Sequence, residues 1–582
     1  MRLTVRRLTA AALLAAALSS QAADEPKRLP LQIEGLKGDL LSNVEANLGP
    51  LMKDGVLDTQ GYHARIETAV RLGLRPLGYY QPKSSFKVSG SDTGKKLVVT
   101  VDKGEPVLIA DAKLTLSGPG KDDKVFAPFF KRLPKKGDVL NHGLYTSFKG
   151  DLTDEAQRWG YFDGEFKTSR LGVALSRHEA YWTLNYDTGK RFRFGKVTYT
   201  GSQIDTRFLD NMKPFKEGDY YSADKLAEFS QRMSSMGWFT TVVLAPDFDE
   251  ARKSEDRELP LNAEVSPKKA NSVETSIGFS SDIGPSAKVV WKKPWVNRRG
   301  HSFSATTQIN SKDPQLNLSY KIPRLDNPFE EYWTINGGFK HTDLNDTESD
   351  RGIFSVARHW EFSSGWKRTI SLNWSHDHFT QGAMTGTTEL LYPTFTIART
   401  RSRGGTMPTW GDSQIYSISA GTQKVLSDVD FVSVSAQHVW IRTLKQKHRF
   451  VFRGNVGYIK SSKFDRLPPD MRFFAGGDRS IRGYDYKKVS PRDSNGYLTG
   501  ATSLLTASAE YQYKVHGDWW GAVFLDVGEA VNGFANSDWK KGVGFGVRWN
   551  SPVGPVKLDL ACPANSIGGS DLNIYIGIGA EL

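Results

Sequence analysis

Cysteine is nearly absent. Cys562 is the only one in 582 residues, so no disulfide can form within the chain. Long apolar runs are scarce as well: mean hydropathy is −0.45, and past the N-terminus no stretch offers the ~20 apolar residues that a bilayer-spanning helix needs. There is no Gly-x-x-x-x-Gly-Lys-Ser/Thr phosphate loop and no Gly-x-Ser-x-Gly nucleophile elbow. The nearest thing to a metal motif is His376-Asp377-His378, two imidazoles on one strand face without a third ligand. A polar strand end accounts for them better. These gaps argue against an enzyme, and neither a cofactor nor a metal is expected.

Glycine (55 residues) and aromatic side chains (12%) are abundant instead. Modest hydropathy with both in excess suits a transmembrane β-barrel, whose strands alternate apolar and polar positions and carry a weak signal individually. The N-terminus points to export. Arg2, Arg6 and Arg7 precede an Ala/Leu run from Leu8 to Leu18, and Ser20-Gln21-Ala22 offers the small residues of a cleavage site. Residues 1–22 therefore read as a signal peptide. In an exported chain, the net charge of +13 suggests anionic lipid headgroups or plain solvation rather than nucleic acid.

The first half of the mature chain repeats, which outweighs any local propensity. Helical segments end in Leu77-Gly78-Tyr79-Tyr80, Trp159-Gly160-Tyr161-Phe162 and Met236-Gly237-Trp238-Phe239, about 80 residues apart. Glycine suits a left-handed helix cap there, and the aromatics can pack back on the helix. Three α+β modules follow, at 23–104, 105–190 and 191–267. They resemble the POTRA (polypeptide-transport-associated) module, a β-α-α-β-β unit. That resemblance implies a periplasmic position and client segments added to a sheet edge.

In 268–582 the grammar changes to sixteen short alternating segments, the first near Val273, the twelfth near Tyr497 and the last near Leu572. In the last, Leu572, Ile574, Ile576 and Ile578 share one face, while Asn573, Tyr575 and Gly577 share the other. From Lys540 onward, Val543, Phe545, Val547 and Trp549 face lipid, and Gly542, Gly544, Gly546 and Arg548 face the lumen. A single soluble sandwich of this size would be outsized. The expected fold is three periplasmic α+β modules followed by a 16-stranded antiparallel transmembrane β-barrel.

One connection is unusually long. Roughly Ser461 to Gly496 is punctuated by Gly and Pro, yet carries Phe473, Phe474, Arg479, Arg482 and Tyr484, a poor composition for disorder. Within it, Ile481-Arg482-Gly483-Tyr484 sets a guanidinium on a tight turn. With periplasmic modules the first strand runs outward, and this loop joins strands eleven and twelve on the outer side. Glu510 alternates with outward Ala509 and Tyr511, and Asp526 with outward Leu525 and Val527, so both carboxylates point inward. Arg482 is expected to fold in and pair with Asp526 and Glu510. The alternative is that the two acids merely line a polar lumen.

Together the signal peptide, the repeats, the Ile481–Tyr484 turn and the Asp526 strand resemble the bacterial outer-membrane assembly superfamily that includes BamA. Three modules, the stretch 401–414, the run 549–555 and the ending 576–582 narrow the resemblance to the TamA family, outer-membrane subunits of the translocation and assembly module. Leu582 departs from the aromatic terminus usual in outer-membrane barrels. The resemblance implies an outer-membrane insertase for autotransporters and other β-barrel clients, a TamB-like inner-membrane-anchored periplasmic partner, and contact with outer-membrane lipid. It also implies a lateral seam between first and last strands, assigned to Gly278, Ile574, Ile576, Gly577 and Gly579. Gly577 and Gly579 would weaken a strand interior, and a poorly paired edge is a template for strand addition. A passive pore and a two-partner-type transporter passing its client through the lumen are the competing readings. Trp295, Arg298 and Arg299 fall in the periplasmic turn between strands two and three, as girdle residues or headgroup anchors.

Overall fold

The computed structural model describes residues 28–91, 94–535, 537–552, 554–566 and 572–579. The expected signal peptide and Leu582 lie outside the described residues. The first module runs β1 (Leu31–Glu34), α1 (Asp39–Asp54), α2 (Gln60–Leu74), β2 (Lys83–Ser89) and β3 (Lys96–Asp102). The second runs β4 (Leu108–Ser117), α3 (Ala127–Arg132), α4 (His142–Arg158), β5 (Glu165–Ala174) and β6 (Glu179–Asp187). The third runs β7 (Arg193–Thr200), α5 (Thr206–Asp210), α6 (Ala223–Ser235), β8 (Phe239–Pro246), α7 (Phe248–Lys253) and β9 (Glu258–Pro267). In all three the last strand sits in the middle of the sheet, in the orders β1-β3-β2, β4-β6-β5 and β7-β9-β8.

Alternation and helical spacing explain the first module. Leu97, Val99 and Val101 of β3 share one buried face, and Val44, Leu48, Ile66, Val70 and Leu74 of the two helices close over it. The recurring glycine turn has a common role. The Gly78 carbonyl, at φ +90°, accepts the Val107 N–H at 2.9 Å, and the Gly160 carbonyl, at φ +91°, accepts the Phe192 N–H at 2.8 Å. Each turn is therefore the joint at which one module hands the chain to the next.

Two compact units divide the chain, and their boundary runs through the third module: Val197–Pro214 and Ala227–Ala245 cluster with Asn262–Leu582. In this second unit the third turn repeats the joint, with the Trp238 carbonyl accepting the Lys268 N–H at 2.9 Å. Trp238 is 1% exposed, and its indole N–H donates to the Gly300 carbonyl at 3.0 Å. Gly300 has φ +72°, and a Cβ there would strike the indole. The Trp295 indole donates to the Lys268 carbonyl at 2.8 Å, and the Asp205 N–H donates to the Arg298 carbonyl at 2.8 Å. The turn holding Trp295, Arg298 and Arg299 is thus fastened to third-module residues, which the sequence reading did not foresee.

Sixteen antiparallel strands form the closed barrel. They are β10 (Ser272–Ser280), β11 (Gly284–Lys293), β12 (Ser302–Ile309), β13 (Gln315–Pro323), β14 (Glu331–Leu344), β15 (Thr347–Glu361), β16 (Lys367–Gln381) and β17 (Met384–Arg403). There follow β18 (Trp410–Gly421), β19 (Phe431–Leu444), β20 (His448–Ser461), β21 (Ser503–His516), β22 (Trp519–Val531), β23 (Lys540–Ser551), β24 (Gly554–Pro563) and β25 (Asn573–Ile578). Two expectations need correction. The twelfth strand opens at Ser503 rather than near Tyr497, because the residues before it pair with the long loop through the bridges Arg492–Leu498 and Phe473–Ala501. Gly579 lies past the end of β25 at φ +147°, so it does not interrupt a strand.

Trp238→Ala should cost about 3–5 kcal/mol, the usual loss for emptying a buried aromatic site. The expected outcome is faster protease nicking between 262 and 301, with the barrel retaining its folded mobility on unboiled gels. Unchanged nicking would show that Trp238 does not hold this turn.

Candidate functional site

Among the described residues, the barrel closes on a short register. β10 lies along β11 from Ser272 opposite Lys292 to Ser280 opposite Gly284. Across the seam, among the described residues, β10 and β25 register only at Ser280 opposite Gly577, with one further bond from the Ser281 N–H to the Ile576 carbonyl at 3.1 Å. Ile277 is 89% exposed and Val273 63%. Of the residues assigned to the seam, Gly577 faces inward on β25, Ile574 and Ile576 face outward, and Gly278 sits on β10 opposite Ser286 of β11.

Other contacts hold this end of the barrel, and they come from the long loop. Gly483, at φ +92°, packs against the Cys562–Pro563 backbone, where a Cβ would come within 2.6 Å of the Cys562 carbonyl carbon. Its N–H donates to the Tyr575 hydroxyl at 3.0 Å, and its carbonyl accepts the Asn573 side-chain amide at 2.8 Å. The Tyr575 hydroxyl donates in turn to the Tyr484 carbonyl at 2.9 Å. Toward β10, the Asp478 N–H donates to the Asp282 carboxylate at 3.0 Å, just beyond that strand's outer end. The loop thus grips residues on both sides of the seam.

Arg482 anchors the loop inside the barrel. Its side chain is 1% exposed. Nε and Nη2 form a fork on Asp526 at 2.7 and 2.9 Å, Nη1 reaches Glu510 at 2.7 Å and Asp559 at 3.2 Å, and Nη2 also donates to Ser508 at 3.2 Å. All five guanidinium N–H donors are therefore engaged. The plane lies over Phe524, 3.3 Å from its centroid. Arg548 binds the other faces of Glu510, at 2.7 Å, and Asp559, at 2.5 Å. Gly542 gives the Arg482 carbonyl room, since a Cβ there would overlap it. Ile481, fully buried, packs with Ala475, Val489, Ala501 and Ala530.

The expected pairing of Arg482 with Asp526 and Glu510 is thus present in the geometry, and Gly483 and Tyr484 meet the last strand. Sequence reasoning missed Asp559, Phe524, Tyr575, Asn573 and Asp282. Parity had turned Arg548 inward without giving it a partner, and carried one strand further it would have turned Asp559 inward beside it. His376 and His378 do not join this network; they sit on the exposed side of β16, bonded to Glu389 and Thr387 of β17.

Comparison with known proteins agrees with this architecture. Residues 296–582 match the Omp85 superfamily domain, residues 30–103 the POTRA domain of the TamA domain 1 type, and residues 192–268 a second POTRA description, the surface antigen variable number repeat. The chain is a TamA/BamA-like Omp85 protein. Its fold is similar to BamA from Haemophilus ducreyi lacking POTRA domains 1–3, at 15% identity and TM-score 0.68, over 81% of this chain and 99% of that one. The outer membrane protein assembly factor BamA of Nitratidesulfovibrio vulgaris is 22% identical over 458 residues, 71% of this chain and 54% of that protein. Outer envelope protein 80, chloroplastic, of Arabidopsis thaliana is 28% identical over 124 residues, 19% of this chain and 15% of that protein. The Omp85 chain thus spans about half the length of the first of these relatives and less of the second. An Omp85 barrel with POTRA modules resides in the outer membrane, the modules in the periplasm.

Arg482→Ala leaves three inward carboxylates short of a partner and should cost about 3–5 kcal/mol. Arg482→Lys should recover only part of it, because an ammonium cannot fork onto Asp526 while reaching Glu510 and Asp559. The temperature at which the folded gel mobility is lost measures both; equal values for Ala and Lys would contradict the fork.

Acidity should tune the outer clasp. Burial, reinforced by the nearby Asp478 carboxylate, pushes the Asp282 carboxyl up to about 6. Burial also opposes ionisation of Asp478, but Lys557 outweighs it and holds that group below its usual range. A raised carboxyl takes up its proton more readily when covered, so docking of the loop over Asp282 is favoured as pH falls through 6 and opposed as Asp282 ionises above it, the Asp478 N–H bond to the carboxylate offsetting only part of that cost. Asp478 stays ionised in that window. Amide exchange over 476–482, corrected for intrinsic rates, should slow from pH 7 to pH 5, and Asp282→Asn should abolish the difference.

Proposed function

We propose that the chain is an insertase or translocase subunit that helps assemble β-barrel clients, autotransporters among them, by strand exchange at the β10/β25 seam. The observation that carries this reading is a closing register that, among the described residues, joins only Ser280 and Gly577 beside an otherwise continuous ladder. Backbone N–H and C=O groups along β10 that meet no strand partner among the described residues offer a template on which an extended client segment can add. A relative whose printed name is an outer membrane protein assembly factor supports the same class of activity. The first module's match to the TamA type supports a TamB-like periplasmic partner. In this reading the work is done by backbone hydrogen bonding, without catalysis.

The loop fits the role of a latch. It fastens the last strand through Tyr575 and Asn573 and the end of the first through Asp282, so releasing it would free both edges together. The same loop occupies space on the lumen side of β21 to β24, which weighs against a passive pore and against a client threading the lumen.

Ser280→Cys with Gly577→Cys, in a Cys562→Ser background, joins the two residues that face each other across the seam. The expected outcome is that oxidation stops client assembly in membranes while reduction restores it, with the barrel folded in both states. Assembly that proceeds at the same rate with the seam locked would refute strand exchange there.

A further inference from the structure

On the far side of the ring from the seam, the outer wall carries a cluster of cations that none of the foregoing uses. Residues facing each other across β17, β18 and β19 share a side of the wall. Phe395, Ile418 and Val434 form an apolar row, 38–46% exposed. Strand parity carries that same lipid-facing side down to Arg399, Arg401 and Arg403 on β17, with Trp410 and Asp412 on β18 and Arg442 on β19. These positions flank the turn 404–409 between the eighth and ninth strands. Because the first strand starts from the third module, that turn is on the periplasmic side. The guanidiniums therefore lie at the level of the periplasmic leaflet's headgroups.

Three guanidiniums gather at one carboxylate, with a fourth, Arg403, close by over Trp410. Asp412 is 2% exposed and is held by Arg401 at 2.9 and 3.2 Å, while Arg399 and Arg442 stand off at 3.8 and 3.9 Å. Trp410 backs three of the cations, with Arg442 at 4.5 Å, Arg403 at 5.2 Å and Arg401 at 5.3 Å from its ring centroid. Arg399 lies 4.4 Å from the Trp366 ring, and its buried Nε has no hydrogen-bond acceptor among the described residues. Like charges on neighbouring positions of a sheet repel one another. They are tolerable in company when a shared anion sits among them, and a guanidinium fork matches two phosphate oxygens. Tryptophan at the same level is an interface anchor.

We propose that this patch binds the phosphate of an anionic phospholipid in the periplasmic leaflet. Arg399 and Arg403 supply the donors, joined by Nη2 of Arg442, whose Nη1 is held by the Gly411 and Ile441 carbonyls; Arg401 stays committed to Asp412, and Trp410 fixes the planes of Arg403 and Arg442. The acyl chains lie along the row of Phe395 and Ile418.

The test uses the full chain in nanodiscs of phosphatidylethanolamine with phosphatidylglycerol, followed by native mass spectrometry of the lipid each released barrel retains. Arg399→Gln/Arg403→Gln leaves the close Arg401–Asp412 bonds intact. Arg298→Gln/Arg299→Gln removes the same charge at another turn of the same side. The site predicts that the first variant loses tightly held phosphatidylglycerol, its affinity falling about tenfold or more, while the second retains it and millimolar inorganic phosphate does not displace it. Equal losses in both variants would reduce the effect to leaflet charge and overturn the proposal, as would full retention in the first. Displacement by inorganic phosphate would overturn the lipid assignment in favour of a general anion site. If the double variant does not fold, Arg403→Gln alone, at an exposed position, is read the same way.

Discussion

A guanidinium removed from water inside a membrane barrel dictates much of what surrounds it. Burying Arg482 without compensation would be prohibitive, and even a good ion pair seldom repays the desolvation of both partners. The structure meets the demand by bringing carboxylates from three strands, β21, β22 and β24, onto one cation and sharing two of them with Arg548. What such an arrangement supplies is position rather than net stability. Five fixed donors allow one docking geometry, and that geometry decides where Gly483 and Tyr484 meet the last strand. The inward glycines follow from it, since Gly542 must admit the Arg482 carbonyl.

Position matters because, among the described residues, the ladder across the closing strands is short. A ladder hydrogen bond contributes roughly 0.5–1.5 kcal/mol net, so the few across β10 and β25 hold the edge only weakly. The loop adds side-chain and turn contacts at a handful of atoms. Contacts concentrated in this way can be released together by one movement of the loop, whereas a full ladder would have to be peeled residue by residue. A carboxyl near pH 6 at the outer clasp adds a second means of adjusting the same closure.

Much of this was legible in the sequence, and the reasons are physical. Alternation in the final strand gave the faces of Ile574, Tyr575 and Ile576, because period two cannot be satisfied any other way in a wall with lipid on one side. The 80-residue spacing of glycine turns gave the modules, though not the function of the turn, since a left-handed cap and an inter-module joint use the same residues. Arg482 with Asp526 and Glu510 could be inferred because all three are charges that parity turns inward. The same parity along β24 turns Asp559 inward, but nothing local names Arg482 and Arg548 as its partners. Tyr575 looked like one more inward aromatic, and its hydroxyl's role appears only when Gly483 lies beside it. The twelfth strand was placed too early because Tyr497 to Thr502 reads as extended, but the chain turns at Gly500, φ +74°, and Leu498 and Ala501 pair with the loop rather than the wall. Trp238 and Gly300 could not have been matched, because nothing local in either stretch names the other.

The course of β10 ties these elements to strand addition. Four residues before the strand, Lys268 is fixed at both its N–H and its carbonyl, by Trp238 and by Trp295. Two residues after it, Asp282 is fixed by Asp478. Along one side β11 holds it throughout. The strand is therefore anchored at both ends and along one side, while most of its other side, among the described residues, meets no neighbouring strand. An edge prepared in this way has already met the conformational entropy that ordering a free segment would cost, about 1–2 kcal/mol for each residue. A client strand then has only its own ordering to offset, which is the advantage of preorganisation in any binding event. A floppy edge would give up that advantage, and a fully paired one would have nothing to offer, so an anchored but open edge is the arrangement that strand exchange requires.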